Sequence, residues 1–262
     1  FEESFVNNDL TRIIKFFLVS IALYINYISY SYQKNNSLNV FEYPILTTFS
    51  LLGMMVMLSA NDLMLLYVSI ELQSLSLYVL VALKRDSLKS SEAALKYFIL
   101  GSIASAVILY GASMIYSVTG STNYTIIRET TLNNNSEIVF SFGLILILSG
   151  IAFKLSAAPF HMWTPDVYEG SPTSVTTFLV TLPKLAALVV LIKLLFGPFI
   201  NQIDIWQQIL IIITVLSIAI GSISALRQNN LKRLFAYSTI GNIGYVLMGV
   251  VLATKNGLSA SL

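Results

Sequence analysis

The chain has 262 residues, of which 56% are hydrophobic and only 11% are charged, and its net charge is +2. A soluble globular domain carries about 25% charged residues, so most of this chain's surface must face lipid or other apolar protein. The small net charge and the lack of a Lys/Arg-rich run argue against nucleic-acid binding, and the absence of cysteine excludes disulfides, cysteine nucleophiles, thiolate zinc sites and cysteine-ligated iron–sulfur clusters.

Eight apolar stretches are long enough to cross a hydrocarbon core of about 30 Å. They are residues 13–32, 44–60, 63–83, 91–118, 138–157, 174–196, 205–226 and 231–253. The only long connection, residues 119–137, is polar and rich in asparagine, which predicts an exposed loop. No linker divides the chain. The pattern therefore predicts a single all-α membrane domain over residues 1–262, a polytopic bundle of about eight spanning helices.

The orientation of the bundle follows from lysine and arginine in alternate loops. Seven of these residues fall on one side: Lys34, Lys84, Arg85, Lys89, Arg227, Lys232 and Arg233. Five fall on the other side: Arg12, Lys15, Arg128, Lys193 and Lys255. The cluster at 84–89 lies in a short loop, where the rule is strongest. We place that side in the cytoplasm or matrix and both termini on the opposite side.

Three charged residues fall inside the predicted spans: Glu71 in the third, Lys154 late in the fifth and Lys184 in the middle of the sixth. Each costs about 2.5–3.5 kcal/mol at a bilayer centre. Burial lowers a lysine's affinity for its proton, and a nearby carboxylate raises that affinity again. A lysine between these two effects can exchange its proton near neutral pH. We expect Glu71 and Lys154 to act as a coupled pair in a proton relay. The alternative is a Glu–Lys ion pair that only holds two helices together, although one of the two lysines would then have no carboxylate partner.

Two further ionisable residues are less clear. Lys96 lies one turn after Glu92, so an ion pair at the headgroup level explains it as well as a place in a proton channel. The single histidine, His161, cannot form a metal site alone.

A break in the helical pattern follows Lys154. Three prolines lie within residues 159–172, and each disfavours helical backbone at the residue before it. A helix interrupted at depth beside a lysine is typical of a transporter's ion site, since irregular backbone in a membrane must line a cavity or be buried in protein. An ordinary loop outside the membrane would suit Trp163 equally well. The candidate residues of this broken-helix loop are Pro159, His161, Pro165 and Asp166.

A resemblance to a known family is carried by residues 153–172, FKLSAAPFHMWTPDVYEGSP. This segment is similar to the signature of the NADH dehydrogenase subunit 2 family of respiratory complex I, one of the proton-translocating families related to cation/proton antiporters. Three other stretches agree with it: residues 69–78 around the glutamate, 92–100 with ALKY, and 225–245 with LKRL and GY. The match runs in order from about residue 44 to residue 253.

The resemblance implies a five-helix repeat followed by an inverted copy, each with a half-channel and a broken helix. Residues 13–32 would precede the first repeat, 44–196 would form it, and 205–253 would begin the second. Glu71, Lys154 and Lys184 would match the channel glutamate and the two channel lysines. Because the second repeat would be incomplete, we expect another polypeptide or a continuation after residue 262 to complete the bundle.

The function implied by the resemblance is proton relay across the mitochondrial inner membrane, as a membrane-arm subunit of complex I beside other antiporter-like subunits. FMN, iron–sulfur clusters and ubiquinone would belong to the complex, since the chain has no nucleotide motif and no cluster ligands. Two alternatives remain open: a stand-alone cation/proton antiporter subunit and a non-conducting structural subunit.

Overall fold

Eleven α-helices make up the part of the chain that the computed structural model describes, which is residues 3–35, 38, 41–133 and 138–261. Eight of them are long and apolar enough to span a membrane. These are α1 Asp9–Asn35, α2 Glu42–Ser59, α3 Leu63–Val81, α4 Leu88–Thr119, α6 Ile138–Leu155, α8 Thr173–Phe196, α9 Ile203–Leu226 and α10 Leu231–Val251. The other three are α5 Tyr124–Asn133, α7 Trp163–Gly170 and α11 Lys255–Ser261. The described residues are 84% helical without strands, which confirms the all-α prediction.

Helix α5 corrects the prediction of an exposed loop over residues 119–137. The Asn123 side chain accepts a hydrogen bond from the Thr125 N–H at 2.9 Å, which satisfies one of the free donors at the start of the helix. Ile127 then packs into the core with no exposed surface, so the segment gains enough apolar contact to hold a short helix. Residues 134–137 of the predicted loop lie outside the described residues.

Some of the polar residues between spans act as helix caps. Asp62 caps α3 by accepting from the N–H groups of Met64 at 2.7 Å and Leu65 at 3.2 Å. Asn230 caps α10 in the same way, through the Lys232 N–H at 2.9 Å. Each cap satisfies donors that lipid could not, which explains why these helices begin where the apolar runs begin.

Helices α4 and α6 lie side by side with their backbones in close approach. A Cβ on Gly111 would lie 2.7 Å from the Gly143 carbonyl oxygen, and a Cβ on Gly143 would lie 2.9 Å from that of Gly111. Only glycine fits at both positions. Helix α7 continues along α4, because Trp163 stacks on Tyr97 at 4.5 Å between ring centroids. Together α6 and α7 run along most of α4.

The break between α6 and α7 begins in the interior of the bundle. Ser156 ends α6 with a left-handed backbone (φ 63°), and the peptide bond between Ala158 and Pro159 is cis. Ser156 and Ala158 have no exposed surface. The Ala158 N–H donates to the Ser217 hydroxyl at 2.8 Å, in the middle of α9. The chain is thus interrupted next to Lys154, and the start of the break is buried in protein, which is what an interrupted helix at an ion site would require.

Candidate functional site

The three charged residues predicted inside the membrane lie on α3, α6 and α8. Lys184 is only 5% exposed. Its Nζ and the Glu71 Oε1 are buried and have no hydrogen-bond partner among the described residues. Buried polar atoms normally find a partner in protein or ordered water, so these two atoms mark positions where water or a transferred proton would be accommodated.

Lys154 is held differently. Its Nζ donates to the Ser74 hydroxyl at 2.8 Å, and Ser74 lies three residues after Glu71 on α3. Residues three apart on a helix are neighbours on one face, so the ammonium group is bound next to the glutamate. The Glu71 Oε1 accepts no hydrogen bond from it. A hydroxyl can donate and accept, which makes Ser74 a suitable neighbour for both groups, although no sequence pattern singled it out.

A proline precedes the buried lysine of α8. Pro183 lies inside that helix, and having no N–H it removes the hydrogen bond that would otherwise go to the Leu179 carbonyl group. The backbone is therefore less tightly bonded in the turn that carries Lys184. A helix weakened in this way beside an unpartnered lysine can accommodate a polar molecule there.

Lys96 lies outside this group, in an ion network at one end of the bundle. The members of the ion network are Lys89, Glu92, Lys96, Asp166, Glu169 and Arg233. Lys96 pairs with Glu92 at 2.7 Å and with Asp166 at 2.9 Å, and its side chain is 44% exposed. The expected pair with Glu92 is thus present, and the structure brings Lys96 to the broken helix but not to the buried lysines.

Arg233 is one of the members of the ion network that were not predicted as site residues. It binds Asp166 at 3.2 Å and Glu169 at 3.2 Å. The two carboxylates are three residues apart on α7 and therefore lie on the same face of that helix. Both can thus form ion pairs with one arginine side chain. That spacing was the available signal, but it becomes informative only once α7 is known to be a helix.

The other predicted residues of the broken-helix loop, Pro159, Pro165 and His161, do not form a common site. Pro159 is exposed in the break, and Pro165 is buried in the first turn of α7, where a helix does not need its N–H. His161 is 8% exposed, and its Nδ1 has no partner among the described residues. Within the described ranges, no three His, Asp or Glu side chains form a group that could hold a metal ion.

The fold and the site define a multi-pass membrane protein in which a broken helix and the buried Lys184 accompany a half-buried glutamate and lysine, Glu71 and Lys154. The chain belongs to the family described as NADH:quinone oxidoreductase/Mrp antiporter, TM, whose model matches residues 60–262.

Two similar curated proteins are NADH-quinone oxidoreductase subunit N of Pelagibacter ubique and of Maricaulis maris. Both are 48% identical over all of this chain, which covers 55% and 54% of their lengths. The chain thus spans about half the length of these relatives. Their names confirm the resemblance to the complex I family, but they are bacterial and called subunit N, so they give no support to subunit 2 or to a mitochondrial location.

Solved structures agree on the architecture. A chain of respiratory complex I from Thermus thermophilus is 36% identical with a TM-score of 0.68, over 85% of this chain and 51% of that chain. A chain of the Mrp complex from Dietzia has a TM-score of 0.77 at 24% identity, over 84% of this chain and 41% of that chain. The second similarity shows the fold alone.

Proposed function

We propose that this chain relays protons across a membrane as the subunit N, or part of it, of a respiratory NADH:quinone oxidoreductase. The observation that carries the proposal is the placement of Glu71, Lys154 and Lys184 inside the bundle, around a helix that is interrupted next to Lys154. The relatives named subunit N support the complex to which the chain is assigned.

The proposed roles follow from the surroundings of each group. Glu71 and Lys154 form one station, in which the Ser74 hydroxyl holds the ammonium group beside the glutamate. Lys184 is the second station, and its lack of a hydrogen-bond partner leaves its Nζ available to water. A proton would reach it through water, because no direct hydrogen bond joins the two stations.

The chain supplies no redox chemistry in this proposal. FMN, iron–sulfur clusters and quinone would be bound by other subunits, and this chain would couple their electron transfer to proton movement. Its partners would be other membrane-arm subunits, including antiporter-like ones. Because the relatives are bacterial, we propose the bacterial plasma membrane as its location.

The first prediction tests whether Lys184 must release its proton. Arginine keeps its charge at any accessible pH, so Lys184→Arg should assemble and yet pump at least about tenfold more slowly. Removing a general acid–base group typically costs about a hundredfold or more, so tenfold is the lower bound. Lys184→Gln should behave alike. The measurement is protons pumped per NADH oxidised by the assembled complex in proteoliposomes. Lys255→Arg, at an exposed position, is the control.

Normal pumping by the arginine variant would mean that Lys184 is a fixed counter-charge, and normal pumping by both variants would remove it from the relay. The same vesicles separate the proposal from a cation/proton antiporter. We expect proton movement to continue without Na⁺, and a strict requirement for Na⁺ would favour the antiporter.

A further inference from the structure

Four buried aromatic rings form a continuous row between the two lysines of the proposed relay. The members of this aromatic row are Tyr78 on α3, Tyr97 on α4, and Trp163 and Tyr168 on α7. Successive ring centroids are 4.8, 4.5 and 6.3 Å apart. The four side chains belong to residues that are 5%, 4%, 3% and 0% exposed, in that order. The row therefore lies entirely in the interior of the bundle.

Each end of the aromatic row meets a lysine. The Lys154 Nζ lies 6.0 Å from the ring centroid of Tyr78, and the Lys184 Nζ lies 5.3 Å from that of Tyr168. An ammonium group over a ring face within about 6 Å is attracted by the negative face of the ring, most strongly where water is excluded. Lys184 has no hydrogen-bond partner among the described residues, so the face of Tyr168 is the contact that holds its charge.

The rings are fixed by their neighbours. Trp163 stacks on Tyr97 with an angle of 17° between the rings, and its indole N–H donates to the Phe153 carbonyl oxygen at 3.0 Å. Phe153 directly precedes Lys154, so Trp163 ties α7 to the end of α6 that carries the lysine. At the other side of Tyr78, a side chain at Gly101 would overlap its hydroxyl group. The rings are therefore held at defined positions on three helices.

We propose that Tyr78 and Tyr168 are positioning residues for Lys154 and Lys184, and that the aromatic row fixes the two lysines relative to each other. This inference rests on the proposed relay function. A ring face attracts an ammonium group but not a neutral amine, so each tyrosine stabilises its lysine in the proton-carrying form at one place. Tyr97 and Trp163 transmit no charge in this arrangement, and they keep the two end rings apart at a constant distance.

The test replaces the end rings in the assembled complex and measures pumping per NADH oxidised. Tyr168→Phe keeps the ring face, and we expect pumping within about twofold of the unchanged protein. Tyr168→Leu removes the face, and we expect a loss of at least about fivefold. At Tyr78, we likewise expect the leucine variant to lose more pumping than the phenylalanine variant. Phe140→Leu, which removes a buried ring that packs on Phe199 at 6.1 Å, should leave pumping per complex unchanged.

A second experiment changes the electrostatics of the ring at position 168 while keeping the size of the side chain nearly the same. Trifluorophenylalanine at position 168 keeps the size of phenylalanine but weakens the negative face of the ring, so pumping should fall about as far as in Tyr168→Leu. Equal pumping with phenylalanine and its fluorinated form overturns the inference, as does normal pumping by Tyr168→Leu. If Tyr168→Phe fails as badly as the leucine variant, the hydroxyl acts instead of the ring face, which also overturns it. Failure of the proposed function itself would be seen separately, as normal pumping by Lys184→Gln.

Discussion

Glu71 is half-buried, and one of its carboxylate oxygens is buried without a hydrogen-bond partner among the described residues, near the hydroxyl group that binds Lys154. We predict that Glu71→Gln, which keeps the shape and removes the charge, lowers proton pumping per electron pair and reduces assembly. The reason is that the Lys154 ammonium group would then have only the neutral Ser74 hydroxyl as a partner. Removing one member of a buried pair of opposite charges typically costs about 3–5 kcal/mol, because the other charge is left uncompensated. The matched control is Glu92→Gln, whose side chain is 66% exposed. Unchanged stoichiometry and rate in the Glu71 variant would contradict the pairing.

At the scale of residues, sequence reasoning located the charges but not their contacts. Glu71 and Lys184 stand out because a charge in an apolar run is rare and costly. Ser74 and Tyr168 do not stand out, because both are common in membrane helices and neither interrupts the hydropathy pattern. Their roles depend on which face of one helix meets another, and this rotation is set by packing across distant segments, such as the contact of Trp163 with Tyr97.

Helix α7 is a short element that forms ion pairs with α4 and α10. We predict that Asp166→Asn lowers the temperature at which the purified complex denatures by a few degrees, because it removes the ion pairs to Lys96 and Arg233, a loss of about 1 kcal/mol for a partly exposed network. Glu92→Gln, which removes one pair only, should have a smaller effect.

Salt provides the check on this assignment. Screening weakens partly exposed ion pairs, so the difference between Asp166→Asn and the unchanged complex should shrink as ionic strength rises. A difference that is the same in low and high salt would show that Asp166 acts through packing, and no difference at all would show that α7 is held by its apolar contacts.

At the scale of elements, the eight spans were predictable within a few residues because each is a long apolar run. The three short helices were not. Helix α7 contains Pro165 and reads as a loop, yet proline is tolerated in a first turn, and α4 and α10 supply partners for its carboxylates. Helix α5 was missed because its polar sequence gains helical stability from the burial of Tyr124 and Ile127 in the core. Both depend on tertiary contacts.

The whole molecule has a face that is poorly suited to lipid. Ser222 of α9 and Ser238 and Asn242 of α10 are exposed, and an amide without a hydrogen-bond partner in an apolar medium costs roughly 2–7 kcal/mol. We predict that protein covers this face in the assembled complex, from a further polypeptide or from more of the same one. The relatives, of which this chain covers about half, are long enough to supply it.

Photo-crosslinking in native membranes tests this prediction. A photoreactive residue at position 242 should form crosslinks to protein, whereas the same residue at position 23 of α1, where Leu23 is 67% exposed on an apolar face, should label lipid. Lipid adducts at position 242 would contradict the prediction, and the proton path would then have to be completed elsewhere in the complex.

The ion network also bears on how the chain enters its membrane. Lys89 and Arg233 count among the positive charges from which the orientation of the helices was predicted, yet in the folded chain both form ion pairs with carboxylates of α7. Residues 84–89 leave the ribosome well before residues 166–169. We therefore expect Lys89 to be without its Glu169 partner while α3 and α4 insert, and to act at that stage as a topological signal. Once α7 has been made, Lys89 can form its ion pair with Glu169. The same lysine would then contribute first to membrane insertion and later to the folded structure.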